Sequence, residues 1–367
     1  MKCTGTPNAL AGAGGPVQQG LVPTHQPALP LSQHRGRKTI KEAKGWVLFN
    51  IPRPTRPFLT DGIIWCYTYH SGAFGGVRCQ PQQSLHRLVL TMFELPEFVT
   101  LARQMNDTLP GKMIARGSLG NSPHKFVWYN RGHDEFETLT RAKTVGAAQA
   151  RGKWLFLALH PGYVLVLGEC GGKVLYHASA AKAPGKYHLC ITFEDGSALT
   201  ATTQMWGAME LYEAGLEQER QYVKGMRPTP VDPEFSLDYF SALIDTLVSG
   251  EKRSVKGLLT QEQIIPGLGN AIAQDILFRA RLHARHSIAE LDQGQREHLY
   301  SAIRDTVDEA IDKGGRYDET DLYNSPGRYV RIMDSKAAGH PCPACGTAIE
   351  KMQYLGGACY FCPDCQR

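Results

Sequence analysis

Four of the ten cysteines have the spacing of metal ligands. Cys342-Pro-Ala-Cys345 and Cys362-Pro-Asp-Cys365 are two CxxC pairs with sixteen residues between them. That is the spacing of a ribbon whose two knuckles, each on a hairpin turn, offer four thiolates to one zinc ion. Four thiolates close the coordination sphere, so such an ion holds a small module together and does no chemistry. A second stretch, KGLLTQEQIIPGLGNAIAQDILFRARL at residues 256–282, looks built to hold something. Gly267, Leu268, Gly269 and Asn270 form a glycine-bracketed turn between two apolar-periodic segments. Glycine lets a backbone come close to a ligand, and Asn270 is placed to cap the helix carrying Ala271, Ile272, Ile276, Leu277 and Ala280. Bare amides at a helix start favour an anion, and Lys256 would add a mobile charge from the preceding helix. The turn therefore suits one phosphate of a nucleic acid backbone. Alone, it reads equally well as two helices that simply pack, and the cysteine pairs tip the balance.

The elements that must position these groups follow from periodicity. From Leu95 the apolar residues Phe98, Leu101, Ala102 and Met105 fall three or four apart, with Pro96 tolerated in the first turn, which predicts an N-terminal helix. Residues 154–159, 163–167, 187–193 and 198–203 are β-rich runs bounded by glycine and proline, and Glu194-Asp195-Gly196-Ser197 reads as a hairpin turn. A polar stretch with Pro228, Pro230 and Pro233 marks a linker. Helices are expected at 237–248, around Lys256 and at 272–282. Ser287 to Glu290 matches a capping box ahead of a helix that buries Leu299, Ile303, Val307, Ala310 and Ile311 and stops at Gly314-Gly315. The expected class is a multidomain α+β protein. It comprises an N-terminal β-sandwich with flanking helices at 92–216, a linker at 217–235, a helical helix-two-turn-helix domain at 236–334, and a C-terminal four-cysteine zinc ribbon at 335–367.

Residues 1–91 differ in kind. They are rich in Pro, Gly, Gln and His and show no sustained period, so a low-complexity, disordered extension is expected. They hold ten Lys or Arg against Glu42 and Asp61, a net of +8, so the whole chain's +5 leaves −3 for residues 92–367. A slightly acidic core cannot rely on bulk attraction to phosphate, and any DNA face must be a local patch. Two accounts of the extension compete: upstream sequence before a true start at Met92, or a basic tail or organelle-targeting segment. No run of eighteen apolar residues or secretory signal is visible, and the six remaining cysteines are scattered as in a reducing compartment, which points to a cytoplasmic, nucleoid-associated protein.

Together, the Lys256 region, the Gly267-x-Gly269-Asn270 turn and a ribbon ending in CPxCQ resemble the formamidopyrimidine-DNA glycosylase and endonuclease VIII family of base-excision repair. Met92-Phe93-Glu94-Leu95-Pro96-Glu97 is similar to that family's opening MPELPE, so the resemblance covers about residues 92–367. It implies a monomer that binds lesion-bearing or abasic double-stranded DNA in a cleft between two domains and turns the damaged nucleotide into a pocket. It also implies phosphate contacts from Lys153, Lys256, Gly267, Gly269 and Asn270, an aromatic wedge at Trp206, and a proton-handling Glu94. Glu97 is a second candidate for activating water.

The resemblance breaks where the family's chemistry starts. The proline nucleophile is replaced by Phe93, which has no side-chain nucleophile, and an imine would need the amine of Met92 in a chain that starts there. The ribbon arginine is replaced by Gly357, the methionine wedge by Glu169, and the arginine that pairs with the orphan base is missing beside Trp206. Two classes are therefore open: a DNA N-glycosylase, with or without lyase activity, and a catalytically silent binder of distorted or damaged DNA. A zinc-ribbon scaffold for protein partners is a third.

Overall fold

The computed structural model describes residues 92–120, 126–204, 206–250 and 252–367. The expectations for residues 1–91 lie outside the described residues. Helix α1 (Leu95–Thr108) opens the fold and buries Phe98, Leu101, Ala102 and Met105. Ten further elements complete the first domain: β1 (Ile114–Leu119), β2 (Val127–Trp128), α2 (His133–Thr140), β3 (Thr144–Arg151), β4 (Trp154–His160), β5 (Tyr163–Gly168), β6 (Gly172–His177), β7 (Leu189–Phe193), β8 (Ala198–Thr203) and β9 (Gly207–Glu213).

The strands form a five-stranded sheet, in the order β2-β9-β5-β4-β3, and a four-stranded sheet, in the order β1-β7-β8-β6. Alternation sends Leu155, Leu157, Leu165, Leu167, Met209 and Leu211 from the first sheet into one core with Leu189, Ile191, Leu199 and Ala201 from the second. Trp154, Phe156, Val166 and Ala208 line the opposite face and pack on Val223 of the linker. The sandwich and the β7–β8 hairpin turn agree with the sequence reading; the short β2, and β6 and β9, carried no comparable signal.

The second domain holds α3 (Leu237–Val248), α4 (Val255–Thr260), α5 (Asn270–Arg279) and α6 (Gln293–Asp312) around an aliphatic core that takes in Leu95 from α1. One boundary differs from expectation. Ser287 caps only a single 3₁₀ turn, whereas the capping box of α6 is formed by Asp292 and Gln295, whose side chains exchange bonds with each other's backbone N–H. Strands β10 (Glu350–Tyr354) and β11 (Gly357–Phe361) form the hairpin of the ribbon. Buried Asp275 of α5 accepts hydrogen bonds from the Tyr329 hydroxyl and the amides of Ile332 and Met333, tying the approach to the ribbon onto α5.

Candidate nucleic-acid interface

The glycine-bracketed turn does hold an anion, and the anion is the protein's own. The Glu94 carboxylate accepts from the amides of Gly269 at 3.0 Å, Ala271 at 2.9 Å and Ile272 at 3.1 Å. Gly269 lets it in: a Cβ there would lie 2.4 Å from Glu94 Oε1. Gly269, rather than Asn270, is the N-cap of α5, and no cap side chain is used. This corrects the expected capping role of Asn270, because Glu94 supplies from another domain the acceptor a cap would bring. Gly267, at φ +94°, accepts from the Leu95 amide, and a Cβ on it would strike Leu95.

Around Glu94 lies a buried charge cluster. Glu97 receives the backbone amide of Arg316 at 2.9 Å, its Nε at 3.1 Å and its Nη2 at 2.9 Å, as well as the Glu94 amide at 2.9 Å. Burial works against the Arg316 charge, but the carboxylates of Glu97 and Glu94 outweigh it and hold the guanidinium more firmly protonated than usual. Glu97 is therefore a strut between α1 and the segment after α6, and its carboxylate is not available to activate water as expected. Arg316 also donates to the Met92 carbonyl at 2.6 Å. Phe93, in the nucleophile's place, is fully buried; its ring meets Phe98 edge-on and its amide donates to the Cys170 carbonyl at 3.0 Å.

The ribbon is fastened to the helical domain directly beside the turn. Asn270 Nδ2 donates to the Ala358 carbonyl at 3.3 Å, Gln274 accepts from the Tyr360 amide at 2.8 Å, and Gln366 bridges Cys362 and Leu282. Lys256 is 1% exposed and donates to the Tyr354 carbonyl at 2.6 Å, which corrects the expectation of a mobile charge. Gly357 faces the Asn270 side chain. The sulfurs of Cys342, Cys345, Cys362 and Cys365 lie within 4.8 Å of one another, with Cys342 to Cys365 at 3.9 Å and Cys345 to Cys362 at 3.4 Å. A tetrahedral site with bonds of about 2.3 Å needs sulfurs about 3.8 Å apart, so the four residues fit one metal ion. The Ala344 amide already points at Cys342 Sγ, 3.4 Å away, as an outer-shell donor.

The sandwich contributes one end of its five-stranded sheet. Trp128, Ala208, Gly168, Trp154 and Arg151 are successive partners across β2, β9, β5, β4 and β3. Just beyond that row come Trp206, Glu169 and Lys153, and the Glu169 amide donates to the Lys153 carbonyl at 3.2 Å. Gly152, at φ +59°, brings this end against the turn: a Cβ on it would lie 3.1 Å from Pro266 and 3.4 Å from the Gly267 nitrogen. Lys153, Glu169, the Gly267 to Asn270 turn and the ribbon hairpin thus border one site. Sequence reasoning missed Arg316, which lies 219 residues from Glu97 and had no local signal. It also missed Trp128.

A β-sandwich and a helix-two-turn-helix joined through a buried carboxylate, with a four-cysteine ribbon against the turn, define the class of DNA glycosylases that carry a C-terminal four-cysteine ribbon. The comparisons agree. The formamidopyrimidine-DNA glycosylase N-terminal domain matches residues 92–207 and its H2TH domain residues 226–320. The formamidopyrimidine-DNA glycosylase of Lactobacillus delbrueckii subsp. bulgaricus is 30% identical over 288 residues, covering 75% of this chain and all of that protein. That of Bacillus cereus is 28% identical over 283 residues, covering 75% and 99%. The chain belongs to the formamidopyrimidine-DNA glycosylase family. Among solved structures, Lactococcus lactis Fpg in complex with abasic-site DNA aligns with a TM-score of 0.65 at 23% identity, over 75% of this chain and 99% of that one. The Thermus thermophilus enzyme aligns with a TM-score of 0.63 at 24% identity, over 74% and 98%. No helix among the described residues is long and apolar enough to cross a membrane.

Proposed function

We propose that this chain recognises damaged bases in duplex DNA as a monomer and releases them by a glycosylase route that uses Glu94 and water rather than an imine, with zinc holding the ribbon. The observation that carries the reading is the convergence at one site of the Lys153 turn, the Asn270 turn and the ribbon hairpin. Each can touch a sugar-phosphate backbone, and none reads sequence. Glu94 Oε2 is filled by two amides, whereas Oε1 takes one amide, has Arg316 Nη1 3.9 Å away, and keeps an acceptor position for a proton. In the reaction the bond from C1′ to the base nitrogen breaks with its electron pair going to the nitrogen, water bonds to C1′, and Glu94 takes the water's proton and gives it up, through solvent, to the departing base. Phe93 supports the absence of an imine, since its nitrogen is a peptide N–H committed to Cys170. That same feature favours a second reading, binding without excision.

Duplexes carrying oxidised purines, oxidised pyrimidines, alkylated bases or an abasic site separate the two when incubated with the protein and borohydride. Base release without a trapped covalent complex is the expected result, and Glu94→Gln should abolish it. A trapped complex would show that an amine, such as that of a chain starting at Met92, does attack. Tight binding with no release from any lesion would leave recognition alone.

A further inference from the structure

The aromatic group at the sheet end is larger than one wedge, and its exposed member is not Trp206. Trp128 and Trp206 stack in a parallel, offset pair, with centroids 5.3 Å apart and planes 3° from parallel, while Phe126 packs on Trp206 at 4.6 Å. Trp206 is half-buried in this sandwich, its carbonyl held by the Thr203 hydroxyl, so it lacks an open face on the Trp128 side. Trp128 is 47% exposed, on a two-residue strand that ends a row running through Ala208 and Gly168 to Trp154, beside Lys153. Three inter-strand spacings put it about 14 Å from β4, about four base-pair steps along a duplex.

An exposed indole backed by a parallel one is an expensive surface to leave in water, and it matches the flat face of a nucleobase. In duplex DNA a base has a free face only where a stacking neighbour is missing. We infer that Trp128 is the stacking residue of this protein: it covers the face of a base bordering the gap left by a missing or extruded nucleotide, and Trp206 and Phe126 hold it rigid. This rests on the lesion-DNA reading above and names what that site selects.

The test uses the full chain and two duplexes, one intact and one with a tetrahydrofuran abasic analogue next to 2-aminopurine in the same strand. Wild-type protein should quench the 2-aminopurine on binding. Trp128→Leu, which keeps apolar bulk without a π face, should lose about tenfold in affinity for the abasic duplex, stay within about twofold on the intact one, and lose the quench. Trp128→Phe should recover most of both. Equal losses on the two duplexes, no loss on either, or a wild-type complex without quench would overturn the assignment while leaving DNA binding in place. Wild-type protein that binds neither duplex would overturn the lesion-DNA reading itself, and this inference with it.

Discussion

Substituting Gly269 by alanine tests the joint between the two domains. At φ −137° and ψ −173° the residue is extended, so alanine adopts the backbone without strain. The added Cβ, however, would sit 2.4 Å from Glu94 Oε1, 2.6 Å from Cδ and 3.0 Å from Cγ, and the carboxylate must leave. Three amide bonds go with it, each worth about 1.5–3 kcal/mol to a charged acceptor. Water can replace part of that loss, so a cost of about 3 kcal/mol is expected for Gly269→Ala. Glu94→Ala should cost a similar amount, because it empties the same three amides. In the Glu94→Ala background nothing remains to clash, and Gly269→Ala should be neutral or stabilising by about 0.5 kcal/mol through the unfolded chain. The double variant is then about 3 kcal/mol less stable than wild type rather than about 6, a coupling far above the roughly 0.5 kcal/mol scatter of independent sites. Urea unfolding followed by far-ultraviolet circular dichroism measures all four corners of the cycle. Additive costs would refute the claim that Gly269 is glycine in order to admit Glu94.

Three more outcomes follow from named contacts. Arg316→Met strands Glu97 in the interior, and breaking a buried pair costs about 3–5 kcal/mol, so the melting temperature should fall by about 10 °C; a fall within about 2 °C would remove Arg316 as the strut. His283, whose ring meets Phe361 of the ribbon at 4.7 Å, is held below its usual pKa by burial and then by Arg285 and His286. The fold favours its neutral form, so its contribution is complete above the unfolded value of about 6.5 and is lost as the pH falls below it. Thermal melts from about pH 7.5 to about pH 5.5 should therefore be less pH-dependent in His283→Phe than in wild type, and parallel curves would contradict this. Cys362→Ser should abolish zinc retention and lower stability and DNA affinity together, since β10 and β11 hold Asn270, Gln274 and Lys256. A variant that keeps its metal by elemental analysis would rule out the four-thiolate site.

The fold was legible wherever one element states its own pattern. Helix α3 lies at the expected 237–248, β4, β5 and β8 fall on the expected β-rich runs bounded by glycine and proline, and the CxxC pairs carry their geometry in their spacing. The site was legible as a set of parts but not as a set of pairings. Nothing local in Gly269-Asn270 says that the anion arrives from Glu94, 175 residues away, or that Arg316 neutralises Glu97. Lys256 illustrates the error: a lysine near a phosphate-type turn reads as a mobile charge, yet the hairpin covers it and the Tyr354 carbonyl takes its ammonium. Trp128 was missed for the opposite reason, because a two-residue strand has no period to read.

These pairings change what must hold the DNA. The α5 amides serve Glu94, Lys256 serves Tyr354, and residue 357 is glycine, so three groups suited to phosphate are occupied or absent. With residues 92–367 at a net −3, the proposed binding would lean on Lys153, Asn270 and the stacked indoles rather than on bulk charge. Each neutralised phosphate adds about 0.9 to the slope of log K against log salt, so a chain beginning at Met92 should show a slope of about −2 on abasic duplex. Stacking does not vary with counterions, so discrimination between abasic and intact duplex should persist as salt rises while total affinity falls modestly. A slope of about −5 would mean several phosphate grips beyond those named, and would overturn the view that shape and stacking carry recognition.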